Sequence, residues 1–109
     1  MIRISVELYG SGCLRRLEAE GHSFKAGRDF SPACAAVTAL LRTGAELFAA
    51  EEGVEARISL PEEGRMFFEI SGIPAEKIDR MRGVTDFLAY GLLRMARETP
   101  GDLEVTVLE

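Results

Sequence analysis

Five short segments of this chain alternate apolar and polar residues, and two long segments between them repeat apolar residues every three or four positions. Only a half-buried sheet packed against helices accommodates both periods in one chain. Residues 2–9 set the pattern, with Ile2, Ile4, Val6 and Leu8 on one face and Arg3, Ser5, Glu7 and Tyr9 mostly on the other. Gly10-Ser11-Gly12 is a turn signal, and residues 13–20 return with a weaker alternation, which reads as a hairpin. The two glycines are not a phosphate loop, because a strand candidate and no helix follows them.

Residues 21–31 have no period and contain Gly21 and Gly27, so they form a loop. A helix over about 33–51 follows, with Val37, Leu40, Leu41 and Phe48 on one face, and Gly53 closes it. Residues 54–60 alternate again, with Val54, Ala56, Ile58 and Leu60 expected inward. The turn Pro61-Glu62-Glu63-Gly64 leads to a fourth strand, marked by Met66, Phe68 and Ile70. Pro74 stands where the first residue of a helix would, and Ile78, Met81, Thr85, Leu88, Leu92 and Met95 form a seam running to about residue 98. Pro100-Gly101 stops that helix, and residues 103–108 make a last strand with Leu103, Val105 and Val107 on one side.

The order β-β-α-β-β-α-β predicts an α+β two-layer sandwich: a mostly antiparallel sheet with two helices packed on one face and the other face left open. At 109 residues the chain is expected to be one domain spanning residues 1–109. A chain of this size can bury a core without disulfide or metal support. No apolar run approaches the ~18 residues of a membrane span, and the first residues lack the apolar segment of a secretory signal, so the expected location is cytoplasmic. Eighteen acidic against thirteen basic side chains, a net charge of −5, argue against nucleic acid or anionic lipid as a ligand and favour a basic partner. Glu18, Glu20, Glu62 and Glu63 could face such a partner, or be ordinary solvated positions.

Few residues in the chain can do chemistry. Two cysteines in a cytosolic protein read as thiols, and with one histidine and no CxxC pair a metal site is not expected. The single histidine, His22, lies at the end of the second strand, and Cys34 lies at the start of the first helix. Ser31-Pro32 is a helix-start signal, serine as cap and proline as first helical residue, which makes Cys34 the third residue of the helix. A helix start exposes backbone N–H groups and carries partial positive charge, which favours a thiolate and can hold an oxyanion. Cys34 and Ala35 would present those N–H groups, and Lys25 and Arg28 would add positive charge if the loop folds over them. The eleven residues between His22 and Cys34 permit contact without requiring it. From the residues alone Cys34 is either a nucleophile with His22 as its base, or a small buried apolar residue of an alanine-rich helix. Cys13, in a strand with no histidine near it in sequence, reads as a structural thiol.

The segment Gly21-His22, Gly27-x-Asp29 and Cys34-Ala35-Ala36-Val37-Thr38-Ala39-Leu40 resembles the ribosomal-processing cysteine proteases. The resemblance covers the whole chain in element order and size, and its specific part is about twenty residues. It implies a cysteine endopeptidase without a cofactor that removes an N-terminal extension from a large-subunit ribosomal protein, cutting after an aromatic residue. The family's histidine and cysteine carry over onto His22 and Cys34. It also implies a homodimer, and a loop between the two catalytic residues that is mobile until substrate orders it. Phe24 and Phe30 in that loop line a pocket for the aromatic side chain or pin the loop to the core. Serine follows His22 where the family has alanine, and Thr38 replaces its usual serine. Asp29 stands five residues before Cys34, where the family has its aspartate three before. Ser31 holds that nearer position and takes over the helix cap. The alternative implied by the displaced aspartate is a ribosome-associated binding module of the same fold without catalysis.

Overall fold

A computed structural model describes residues 1–21, 32–60 and 64–109. The elements are β1 (Ile2–Leu8), β2 (Leu14–Glu20), α1 (Pro32–Ala50), β3 (Glu55–Ser59), β4 (Arg65–Gly72), α2 (Ile78–Glu98) and β5 (Leu103–Leu108). The order expected from the periodicities is the order observed. The long seam begins differently: Pro74 caps a short 3-10 turn over Ala75–Lys77, and the α-helix proper starts at Ile78.

The five strands form one mixed sheet in the order β3-β4-β2-β1-β5. The pairs β1–β2, β2–β4 and β3–β4 are antiparallel, and β1–β5 is parallel, with Ile2 opposite Leu103 and Val6 opposite Val107. It follows that β2 and β3 point the same way with β4 between them, and that α1 crosses over from one to the other. Likewise α2 joins the parallel strands β4 and β5 across β2 and β1. Both helices lie on one face of the sheet, where their buried residues share a core with Ile2, Ile4, Val6, Leu17, Ala19, Phe68 and Ile70. Phe48 of α1 meets Phe68 of β4 at the centre, ring centroids 6.4 Å apart.

The weak alternation of residues 13–20 has a structural cause. The register shifts between Glu7 and Leu8, so that Glu7 pairs with Arg16 but Leu8 pairs with Leu14. Two residues of β2 therefore oppose one of β1, a bulge that turns Leu14 to the same face as Leu17 and Ala19. The Leu14 N–H, diverted from the ladder, donates to Thr85 Oγ1 at 2.9 Å, and the same hydroxyl donates to the Met81 carbonyl at 2.8 Å. A threonine in an otherwise apolar seam thus joins α2 to β2.

The expected inward face of β3 is corrected. Ala56 is half-buried, but Ile58 is 43% exposed and Leu60 beyond the strand is 64% exposed. Two helices side by side cover about 20 Å, and a five-stranded sheet with ~4.8 Å spacing is wider than that. The edge strand beyond β4 is left partly uncovered. Helix α1 is long and apolar enough by composition to cross a membrane, as the core helix of a globular domain also can be. Its apolar character serves the core: Cys34, Val37, Leu41, Ala45 and Phe48 are buried along one face.

Candidate active site

Residues of α1 begin at Pro32, so Cys34 occupies the third helical position, as the helix-start signal predicts. Proline has no N–H to lose and its backbone angle suits the first turn. The N–H groups of Ala33, Cys34 and Ala35 belong to the first four of the helix, which have no acceptor within it. The first turn carries no acidic side chain, so nothing on the helix offsets its partial positive end. Cys34 is 2% exposed and Ala35 is exposed, so thiol and backbone donors sit at the boundary between core and surface.

The crossover sets where this turn lies. A helix of 19 residues is about 28 Å long, enough to traverse the sheet. Since α1 runs back from the end of β2 to the start of β3, its N-terminus lies at the sheet end where β2 finishes. Gly21 follows β2 there with φ +110°, a conformation natural to glycine alone. Its N–H donates to the Gly64 carbonyl at 3.1 Å, and a Cβ at this position would stand 2.2 Å from the Met1 carbonyl oxygen. The chain is clamped between the N-terminus and the start of β4 at the residue before His22. The other residues singled out for this site, namely His22, Phe24, Gly27, Asp29, Phe30 and Ser31, lie outside the described residues, as do Glu62 and Glu63.

Two of the acidic groups considered for a basic partner are already paired. Glu18 takes a 2.8 Å ion pair from Arg16, and Glu20 lies 3.9 Å from Arg65. Beside them the open sheet face has a shallow hollow of about 280 Å³ lined by Arg3, Glu20, Arg65 and Phe67, on the opposite face from Cys34. Cys13 is wholly buried and its thiol donates to the Ile78 carbonyl at 3.4 Å, a structural role. Among the described residues no group of three or more His, Cys, Asp or Glu side chains could hold a metal ion. One feature of the site has no sequence signal of its own: Thr38, one turn beyond Cys34, is 8% exposed, and its Oγ1 has no hydrogen-bond partner among the described residues.

A thiol in the first turn of a helix, beside backbone N–H groups that have no acceptor within that helix, is the layout of a cysteine hydrolase. The chain belongs to the cysteine protease Prp family, whose model matches residues 1–104. The fold is similar to that of an essential ribosomal processing protease Prp from Staphylococcus aureus in complex with a substrate peptide. That likeness has a TM-score of 0.78 at 12% identity, covering 98% of this chain and 99% of that one. It is also similar to SMU.848 from Streptococcus mutans, with a TM-score of 0.77 at 20% identity over 99% of this chain and 94% of that one. No curated protein sequence matches the chain.

Proposed function

We propose that this cysteine protease removes an N-terminal extension from a large-subunit ribosomal protein in the cytoplasm, with Cys34 as nucleophile and His22 as general base and acid. The observation that carries the reading is the placement of Cys34 third in α1, at the sheet end where Gly21 hands the chain on to His22. The Cys34 thiol passes its proton to His22, and the sulfur attacks the scissile carbonyl. The N–H groups of Cys34 and Ala35 hold the developing oxyanion. His22 then protonates the leaving amine, and water, activated by the same imidazole, hydrolyses the thioester. The same reading gives Phe24 and Phe30, with Gly27 and Asp29 of the same segment, the role of recognising the aromatic residue before the cut, and gives Ser31 that of the helix cap.

The reading includes a homodimer. The outer surface of the helix layer has an apolar groove of about 430 Å³ lined by Leu40, Leu47, Gly83, Val84 and Phe87. Phe87 is 74% exposed beside it, so a two-fold arrangement can place each Phe87 in the other copy's groove. Gly83 supports close approach: a Cβ there would meet nothing within 4 Å, so no contact among the described residues calls for a glycine that weakens the helix by ~1 kcal/mol relative to alanine.

The test is intact-mass analysis of the host's full-length ribosomal protein after incubation with the enzyme. The expected result is a single cut after an aromatic residue, abolished by Cys34→Ala and strongly slowed by His22→Ala. A precursor that carries the extension and stays intact moves the assignment to a binding module, and cleavage surviving Cys34→Ala means another nucleophile.

A further inference from the structure

We propose that the outer edge of β3 takes up the extension of the substrate as an added strand, with its apolar side chains against Ile58 and Leu60. The assignment rests on the cleavage proposed above. Among the described residues β3 pairs with β4 alone, so the backbone groups on its other side have no partner strand. Edge strands are commonly kept from pairing with other chains by charged side chains or proline. On β3 the register sets Ala56 opposite the buried Ile70 and Ile58 opposite the buried Phe68, so both lie on the helix-covered face, and Leu60 continues the alternation. None of the three carries charge, and exposure rises along them, from a half-buried Ala56 to 43% at Ile58 and 64% at Leu60. Arg57 points to the other face, where its guanidinium lies 5.5 Å from the centre of the Phe67 ring.

The direction of β3 links this edge to the site. It runs parallel to β2 with β4 between them, so Ser59 and Leu60 lie at the sheet end where β2 finishes and α1 begins. Two strand spacings, about 10 Å, separate β3 from β2, and about four to six extended residues cross that distance and the rise to the helix layer. Apolar side chains repeating every second residue are matched, one for one, only by another extended chain. A second copy of this protein is a poor occupant: a five-residue strand with two exposed apolar side chains falls well short of the ~800 Å² that each partner of a stable dimer buries. A peptide also held at Cys34 needs few further contacts. The uncharged patch suits the side of the substrate that carries the aromatic residue before the cut, and offers nothing to a basic tail after it. Because β3 runs toward the site, residues leading up to the cut lie parallel to it. The edge thereby gauges length, since an extension too short to reach β3 forgoes the added strand.

The experiment compares Ile58→Lys/Leu60→Lys with the unmodified enzyme on two peptides identical around the cut, one with about ten residues before it and one with about three. It reads kcat/KM, the unfolding midpoint and the mass by light scattering. The unmodified enzyme is expected to prefer the long peptide by about tenfold, and the double variant to lose that preference while cleaving the short one as before. Both positions are exposed, so the unfolding midpoint should hold, and Ile58→Thr/Leu60→Thr provides the comparison should lysine disturb the strand. A variant that keeps the preference, or that loses activity on both peptides alike, overturns the proposal, as does a preference set by residues after the cut. A change of mass in the variant assigns the edge to a second copy and overturns it too. Long peptides N-methylated at alternate backbone nitrogens, in each of the two registers, test strand addition. One register is expected to bind about tenfold more weakly, and equal binding by both and by the unmethylated peptide overturns the added strand. Should neither peptide be cleaved, the functional reading fails, while fluorescence anisotropy of the labelled long peptide on Cys34→Ala, with and without the lysines, still decides whether β3 holds it.

Discussion

At the residue scale, small side chains and one missing side chain define the site. Cys34 is a member of the core, and its value in the proposed reaction lies in standing in the first turn of α1, where backbone N–H groups have no acceptor within the helix. Gly21 matters for what it lacks. Its φ of +110° and the 2.2 Å approach of a Cβ to the Met1 carbonyl oxygen leave no room for alanine without moving β2 or the N-terminus. We expect Gly21→Ala to lower stability by about 1–3 kcal/mol. Cleavage should fall with it, because the displaced segment leads directly into His22. Denaturant unfolding and peptide cleavage measured on the same variant check this. Full activity with unaltered stability would show that the clamp does not direct the chain.

At the element scale, the joint between the helices depends on charge as well as packing. Glu51, just beyond the end of α1, accepts a 2.6 Å hydrogen bond from Lys77 and a 3.0 Å one from Arg80, which lie at the start of the second helical segment. Lys77 first, with Arg80 beside it, holds the Glu51 carboxyl below the usual carboxylate range. A carboxyl held low in the folded state stabilises the fold above its unfolded value and loses that contribution as the pH falls through the lowered one. From about pH 4.5 downward, unfolding therefore gains a contribution from protonation of Glu51. We expect Glu51→Gln to flatten this part of the stability profile and to reduce stability at neutral pH. Thermal unfolding from neutral to acid conditions, with and without the substitution, tests it. Parallel profiles would assign the joint to packing alone. The salt dependence should be modest, since Lys77 and Arg80 are partly or largely exposed.

At the scale of the whole molecule, the helix layer separates two surfaces with different uses. Its sheet-facing side completes the core, and its outer side carries Leu47, Phe87, Tyr90 and Leu93, all more than 40% exposed. Scattered singly such residues need no explanation, but Leu47 and Phe87 line one apolar groove, where the proposed dimer contact would lie. We expect light scattering after size exclusion to give a dimer mass for the unmodified protein and a monomer mass for Phe87→Glu. Helix content and unfolding should stay within ~0.5 kcal/mol, because Phe87 contributes little to its own chain's core. A monomer at every accessible concentration, or a dimer indifferent to Phe87→Glu, would place the contact elsewhere.

Much of this protein is legible in its residues one segment at a time. Alternation and three-four spacing locate every strand and both helices, because each period reports which face of an element leaves water. Ser31-Pro32 places Cys34 third in its helix for a reason equally local, and the His22 and Cys34 segments carry the family resemblance. The partners of those elements are a different matter. Nothing in Leu103, Val105 and Val107 says that β5 lies parallel to β1, and nothing in Ile58 and Leu60 says that β3 is an edge the helices do not reach. The bulge at Arg15 shows itself in sequence only as a weakened alternation, and Thr85 looks like a polar interruption until its hydroxyl is seen to take up the Leu14 N–H. The sequence by itself determined the elements, their order and the chemistry available in them. The tertiary structure alone decided strand neighbours, edge exposure and which hydroxyls are satisfied, because those depend on contacts between residues far apart in the chain, which no local period records.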